Sequence, residues 1–118
     1  MTIPVATIAR TVEQSFCQQD SDVELFVNPI CLAAAGRPAV DVLDAMRTSY
    51  HPPIIDLTPD QIASIRTTLY RAAMAHRGQF RKPRPTDPGP IPFVAHPVTA
   101  ALYVGLFGGS PTLCIAEL

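Results

Sequence analysis

The sequence Thr58-Pro59-Asp60-Gln61 begins the clearest helix in this chain of 118 residues. Thr58 can cap the helix, Pro59 suits the first helical position, and Gln61 completes a capping box. Apolar residues and one histidine then recur at helical spacing, namely Ile62, Ile65, Leu69, Ala72, Ala73 and His76. This stripe predicts a helix that packs one face on a core and turns His76 towards it.

The segment before Thr58 carries further helical patterns. Residues 7–19 predict an amphipathic helix whose apolar face recurs every four residues, at Ile8, Val12 and Phe16. Glu13 is expected on the opposite, solvent-facing side, with Asp20 and Ser21 at the end of the helix. Residues 23–29 are compatible with a helix or a short strand, and their helical neighbours favour a helix.

A break at Gly36-Arg37-Pro38 separates these segments from another predicted helix, which Pro38 can begin. Its apolar stripe is expected to consist of Val40, Leu43, Met46 or the stem of Arg47, and Tyr50. The sequence His51-Pro52-Pro53 should end it, because a residue before proline avoids helical dihedrals. His51 is interpreted as a loop histidine without a functional role.

Residues 83–92 contain five prolines and therefore predict an extended loop, held in place by its flanking segments. After this loop, Pro97 should begin a helix that closes at Gly108-Gly109. Ser110-Pro111 then caps a last helix with hardly any polar residue. Because such a helix is normally buried by other elements, we expect the chain to be a fragment, or a partner such as a second copy to cover the helix. The predicted fold is all-α, with about five or six helices.

Composition favours a folded domain, since 47% of the residues are apolar and only 16% are charged. Six of the nine basic residues lie between positions 66 and 84, where no acidic residue occurs, although the formal net charge is −1. This cluster is either a solvated helix face or a field that attracts anions. A helix-turn-helix module for nucleic acid is disfavoured, because the total charge is balanced and the proline-rich loop stands where a tight turn is needed.

The three cysteines form no CxxC pair and no zinc-ligand spacing, which is typical of buried thiols in a reducing compartment. The N-terminus has no signal-peptide pattern. The longest apolar run, residues 98–107, is too short to cross a bilayer. We therefore expect a cytoplasmic protein without membrane contact.

Two short stretches carry a resemblance to a known family: Ala75-His76-Arg77-Gly78-Gln79-Phe80-Arg81-Lys82 and Pro92-Phe93-Val94-Ala95-His96-Pro97. Together they resemble the opening of the HD-type metal-dependent phosphohydrolase domain, specifically the RelA/SpoT-like alarmone hydrolases. The resemblance covers about residues 58–118 and implies the N-terminal part of an HD-like domain, incomplete at its C-terminus. Residues 1–57 would then form an N-terminal helical extension that shields the apolar faces of the later helices.

The resemblance also implies site residues. His96 matches the first metal-binding histidine of that family, whose ion is usually Mn²⁺. Arg81 matches the arginine that stacks on the guanine ring, and Lys82 matches its neighbour at the nucleotide site. The implied reaction removes the 3'-pyrophosphate from guanosine polyphosphates. His76 and Gln79 belong to the motif and are assigned to packing.

The chain departs from the family pattern in two ways. The His-Asp pair and the distal Asp ligand are absent, and neither Asp87 nor Glu117 is placed to replace them. The interval between Lys82 and Pro92 is longer and richer in proline than the usual short turn. Catalysis by this chain alone is therefore not expected, and no residue is assigned as catalytic. Two hypotheses stay open: part of a metal-dependent phosphohydrolase, or a non-catalytic helical module that binds a nucleotide or a protein.

Overall fold

The computed structural model describes residues 5–18, 23–48 and 53–118. All regular secondary structure in these ranges is helical, which confirms the predicted all-α class. The helices are α1 (Val5–Gln18), a 3₁₀ helix (Val23–Phe26), α2 (Val27–Ala34), α3 (Ala39–Arg47), α4 (Pro59–Ala75), α5 (Ala95–Leu106) and α6 (Pro111–Glu117). None of these helices is both long and apolar enough to span a membrane.

Helix α4 begins as its sequence predicts. The Thr58 backbone N–H donates to Gln61 Oε1 at 2.8 Å, and the Gln61 backbone N–H donates back to Thr58 Oγ1 at 3.1 Å. This reciprocal capping box satisfies donors that the first helical turn leaves without a partner. The predicted stripe is confirmed in its centre, where Ile65, Leu69 and Ala72 are buried.

Helix α2 forms the middle of the core. Nearly every residue in it is buried, and it packs against α3, α4 and α5. All of its residues except Asn28 are apolar, which explains why no amphipathic period marks the helix in the sequence. The preference for a helix over residues 23–29 is confirmed, because this segment forms the 3₁₀ helix and the first turn of α2.

Helix α1 buries the predicted face of Ile8, Val12 and Phe16. The Phe16 ring stacks on Phe26 with 4.7 Å between the ring centroids. Helices α1 and α2 both pack on α5, so the N-terminal segment does cover apolar faces of a later helix. The division of the chain at residue 57 stays a prediction, and the predicted end of α1 at Asp20 and Ser21 lies outside the described residues.

The predicted apolar stripe of α3 is wrong at Val40, which is 51% exposed. Leu43 is buried as predicted, and Val42 and Ala45 complete the face that packs on α1 and α2. Because α3 contacts two neighbouring helices, its buried face is turned away from Val40. Tyr50 and His51, assigned to the stripe and to the following loop, lie outside the described residues.

Helix α5 begins at Ala95, earlier than the predicted start at Pro97. The Ala95 N–H donates to Pro92 O and the His96 N–H donates to Phe93 O, both at 3.0 Å, so the first turn forms ahead of the proline. Pro97 then falls in the first turn, where a missing N–H costs no intrahelical bond. His96 is thereby placed at the N-terminal end of α5.

The last helix, α6, is capped by Ser110, whose Oγ accepts from the Leu113 N–H at 3.3 Å. It packs on α5 and α4 and buries Cys114, while Leu113 remains 55% exposed. The other elements therefore cover α6 on one side only. A second copy of the chain as cover for the remaining face stays a prediction.

Candidate functional site

A backbone bridge closes the base of the proline loop, defined here as residues 83–92. Phe80 and Pro92 form an isolated antiparallel bridge. The Arg81 N–H donates to Ile91 O at 3.0 Å, and the Phe93 N–H donates to Gln79 O at 2.9 Å. The loop contains neither helix nor strand in its interior, as predicted. Its closure brings the two stretches that carry the family resemblance next to each other.

Arg81 and His96 line one cavity with a volume of about 340 Å³. Helix α1 supplies Ala9 and Glu13 to its wall, and α5 supplies Thr99 as well as His96. The remaining wall comes from the loop and the start of α5: Arg84, Ile91, Pro92, Phe93 and Ala95. Lys82, the third residue that the resemblance implies, is exposed and lies outside this lining. The cavity therefore combines an apolar wall with a small number of polar groups.

The Arg81 guanidinium is held by two carboxylates. It binds Asp87 through both terminal nitrogens, at 2.7 and 3.2 Å, and Glu13 at 2.9 Å. The prediction that Glu13 faces solvent is wrong, because its side chain turns towards Arg81. Hydrogen bonding to Asp87, together with the charge of Glu13, raises the pKa of Arg81 above its usual value. Arg81 is therefore a fixed cation in the wall of the cavity.

Asp87 is itself held in position within the proline loop by hydrogen bonds. Its Oδ2 accepts from the Arg84 backbone N–H at 2.9 Å, and its side chain is only 9% exposed. The hydrogen bond from the Arg84 backbone, followed by those from Arg81, lowers the pKa of Asp87 below its usual value. Asp87 thus remains ionised at neutral pH and fixes the loop to the guanidinium.

His96 does not assemble the manganese site that the resemblance implies. Throughout residues 5–18, 23–48 and 53–118, no three His, Cys, Asp or Glu side chains meet in a way that could hold a metal ion. His96 is exposed, and its ring centroid lies 6.2 Å from that of Phe93. A single imidazole gives too few ligands for a divalent ion. The side chains described here do not fit Mn²⁺, and no catalytic step through a metal follows from them.

His76 and Gln79 make the local contacts expected of packing residues. His76 Nδ1 lies 2.9 Å from Gln79 Oε1, and the imidazole lies 4.7 Å from the Phe93 ring, centroid to centroid. His76 is half-buried at the end of α4 rather than buried in the core, because α4 ends at Ala75 and the chain turns there. Its contacts brace Phe93, one of the residues in the cavity wall.

The basic cluster predicted from the sequence is partly neutralised. Arg66 pairs with Glu24 at 3.2 Å on the surface, and Arg81 is bound by Glu13 and Asp87. Arg84 lines the cavity, and Lys82 is exposed beside Arg81 in the sequence. Any attraction of anions at the loop base therefore depends on Arg84 and Lys82 more than on Arg81.

Sequence reasoning missed the contribution of α1 to the site. Ala9 and Glu13 lie one turn apart on that helix and so share a face that points into the cavity. The only signal in the sequence is this spacing of a small residue and an acidic one. Nothing in it connects α1 with a loop so distant along the chain.

Comparison of the chain with protein families, with curated proteins and with solved structures gave no match. The resemblance to HD-type phosphohydrolases therefore depends on the residues around Arg81 and His96 alone.

Proposed function

We propose that the cavity binds a guanosine polyphosphate or a related purine nucleotide, and that the chain supplies the nucleotide-binding part of a site of the HD phosphohydrolase type. The observation that carries this proposal is the joint position of Arg81 and His96. The proline loop separates them in the sequence, yet both line the same cavity.

The chemistry of the cavity wall suits a planar base. Ile91, Pro92 and Phe93 supply apolar surface, and the guanidinium of Arg81 can stack on an aromatic ring. Small-molecule sites are typically concave and mostly apolar, with a few polar groups that set orientation. The phosphate groups of the ligand would lie towards Arg84, which lines the cavity, and the exposed Lys82.

Binding without hydrolysis is the activity that the geometry favours. Metal-dependent hydrolysis needs an ion that activates a water molecule and stabilises charge on the phosphoryl group. His96 has too few ligating neighbours among the described residues to hold such an ion. This favours the non-catalytic alternative over a complete hydrolase. Hydrolysis is a second candidate, which the position of His96 in the cavity wall favours.

Isothermal titration calorimetry with guanosine tetraphosphate tests the proposal, with EDTA in one series and Mn²⁺ in another. We expect binding in EDTA, no tightening by Mn²⁺ and no release of pyrophosphate. Removing the stacking and charged group in R81A should weaken binding by about tenfold or more. The matched control is R71A, because Arg71 is an exposed arginine on α4 outside this cavity.

Absence of nucleotide binding by the unmodified chain would reject the proposal, as would equal losses in R81A and R71A. Release of pyrophosphate that requires Mn²⁺ and disappears in H96A would instead support the second candidate. Each result separates nucleotide binding from metal-dependent chemistry.

A further inference from the structure

We infer that Glu13 and Asp87 are positioning residues that present Arg81 to the ligand as a flat surface, so that the cavity selects a planar ring over a free phosphate. This inference rests on the proposed function and concerns the same site. It assigns a role to one residue of α1 and one of the proline loop, both outside the two stretches that carry the family resemblance.

The hydrogen bonds of Arg81 occupy the edge of its guanidinium group. Nη2 donates to Asp87 Oδ1 at 2.7 Å and to Glu13 Oε2 at 2.9 Å, which uses both of its N–H groups. Nη1 donates to Asp87 Oδ2 at 3.2 Å and makes a longer contact with Lys82 O at 3.5 Å. The N–H groups of a guanidinium lie in its plane. These bonds engage four of the five guanidinium N–H groups, so a ring in the cavity would contact Arg81 mainly through a face of the group.

The carboxylate of Asp87 lies outside the lining of the nucleotide cavity. Arg81 also lines a second, neighbouring cavity, and Asp87 lies in the wall of that one. Asp87 is nearly buried and also accepts from the Arg84 backbone, so a phosphate could reach the same edge only by displacing a carboxylate with several bonds. Displacement of a partly buried pair held by charge-assisted hydrogen bonds is unfavourable.

The carboxylates also limit the attraction of phosphate to Arg81. Arg81 and Arg84 lie close to Glu13 and Asp87, so these four groups carry no net charge. A phosphate beside Arg81 therefore gains little from charge, whereas stacking of an uncharged ring does not depend on it. Phosphate groups of a bound nucleotide are expected nearer Arg84 than Arg81.

The test compares two small probes, guanosine and inorganic pyrophosphate, by calorimetric titration of the full chain. The unmodified chain should bind guanosine about tenfold or more tightly than pyrophosphate. E13Q and D87N should each lower this preference by about fivefold or more, because the released N–H groups can donate to phosphate oxygens and the ring loses its fixed stacking partner. R81K keeps the positive charge but has no planar group, so it should lose guanosine binding selectively.

The matched control is E24Q, which weakens the surface ion pair with Arg66 on another part of the molecule. It should leave the preference for guanosine unchanged. If D87N does not fold, as judged by circular dichroism, E13Q alone decides the question, because α1 keeps its buried face in that variant.

The outcomes separate this inference from the function it rests on. If the unmodified chain binds neither guanosine nor guanosine tetraphosphate, the proposed function fails and the inference with it. If it binds guanosine, but E13Q and D87N keep the same preference as E24Q, nucleotide binding stands and the positioning role is rejected.

Discussion

The guanidinium of Arg81 lies 2.9 Å from the carboxylate of Glu13, so the residue that leads into the proline loop is tied directly to the first helix. One turn later on α1, the Cys17 thiol donates to Pro90 O at 3.6 Å. These two contacts dock both ends of the loop on α1. The shape of the cavity therefore depends on contacts between α1 and the proline loop, which are far apart in the sequence.

Filling the cavity from α1 should block ligand binding. Ala9 lines the cavity, so a phenyl ring introduced by A9F should occupy the space of the base and weaken guanosine tetraphosphate binding by about tenfold or more. The control is A6F, because Ala6 is exposed on the same helix. Calorimetric titration of both variants measures the difference. Equal affinities would place the ligand outside this cavity.

Acid should loosen the loop through Asp87. The folded pKa of Asp87 lies below its ordinary value of 3.8, with the Arg84 backbone N–H as the largest cause and Arg81 as the next. A carboxyl group with a lowered folded pKa contributes stability that is present above its ordinary pKa and is lost as the pH falls through the folded one. D87N should therefore be less stable at neutral pH and show a shallower loss of stability below about pH 4.

Urea unfolding at a series of pH values checks this prediction for Asp87. Glu24 also has a lowered pKa, mainly through the hydrogen bond from Tyr70, so part of the acid dependence should persist in D87N. A variant whose stability changes with pH as steeply as that of the unmodified chain would contradict the role assigned to Asp87.

The capping box at Thr58 should contribute measurably to stability. T58A removes the oxygen that accepts from the Gln61 N–H and should lower the free energy of unfolding by about 1 kcal/mol, whereas T58S should retain most of it. T67A is the control, because Thr67 is exposed within the same helix and its change should stay below about 0.5 kcal/mol. Chemical denaturation of the three variants gives the comparison.

Gly105 should tolerate no side chain. A Cβ at this position would lie 2.6 Å from the backbone carbonyl carbon of Ala33, so α5 and α2 would have to move apart. We expect G105A to lower the free energy of unfolding by about 1–3 kcal/mol, in spite of the better helix propensity of alanine. G89A is the control, since its Cβ would meet only Cys17 Sγ at an ordinary 3.6 Å. A stabilised G105A would mean that the two helices lie farther apart than described.

The three free cysteines should differ in reactivity. Burial raises the pKa of Cys31 to about 11 and also raises the pKa of Cys114, so neither should react with a thiol reagent while the protein is folded. Cys17 is only half-buried and should be the first to be labelled, slowly at neutral pH because burial and then Asp87 and Glu13 raise its pKa. Labelling followed by peptide mass spectrometry identifies the site, and C17S should abolish the reaction in the native protein. Early labelling of Cys31 would show that α2 is less protected than its packing indicates.

Much of the helical pattern could be predicted because it depends on neighbouring residues. The Thr58 capping box and the buried stripe of α4 follow from side chains within one or two turns of each other. The buried face of α3 could not be predicted in full, because it depends on where α1 and α2 contact that helix. The predicted start of α5 at Pro97 is wrong, because backbone hydrogen bonds to the carbonyl groups of Pro92 and Phe93 form a helical turn ahead of that proline.

In the candidate site, too, local motifs could be predicted and contacts between distant segments could not. The residues Arg81 and His96 could be selected from their motif, and the structure does bring them to one cavity. Glu13 could not be selected, because the amphipathic pattern of α1 places it on the polar face and gives no indication of a contact with a distant arginine. The manganese site that the motif implies does not assemble from the side chains in the described ranges.

By itself, the sequence determined the all-α class, the cap of α4 and the presence of an extended proline loop, since dihedral preference, capping and hydrophobic period act over short stretches of chain. Only the tertiary structure decided that this loop folds back on α1, that Arg81 is held by Glu13 and Asp87, and that His96 has no metal-ligand set among the residues the structure describes. The physical reason is that ion pairs and cavities depend on distances between segments that meet only when the helices pack.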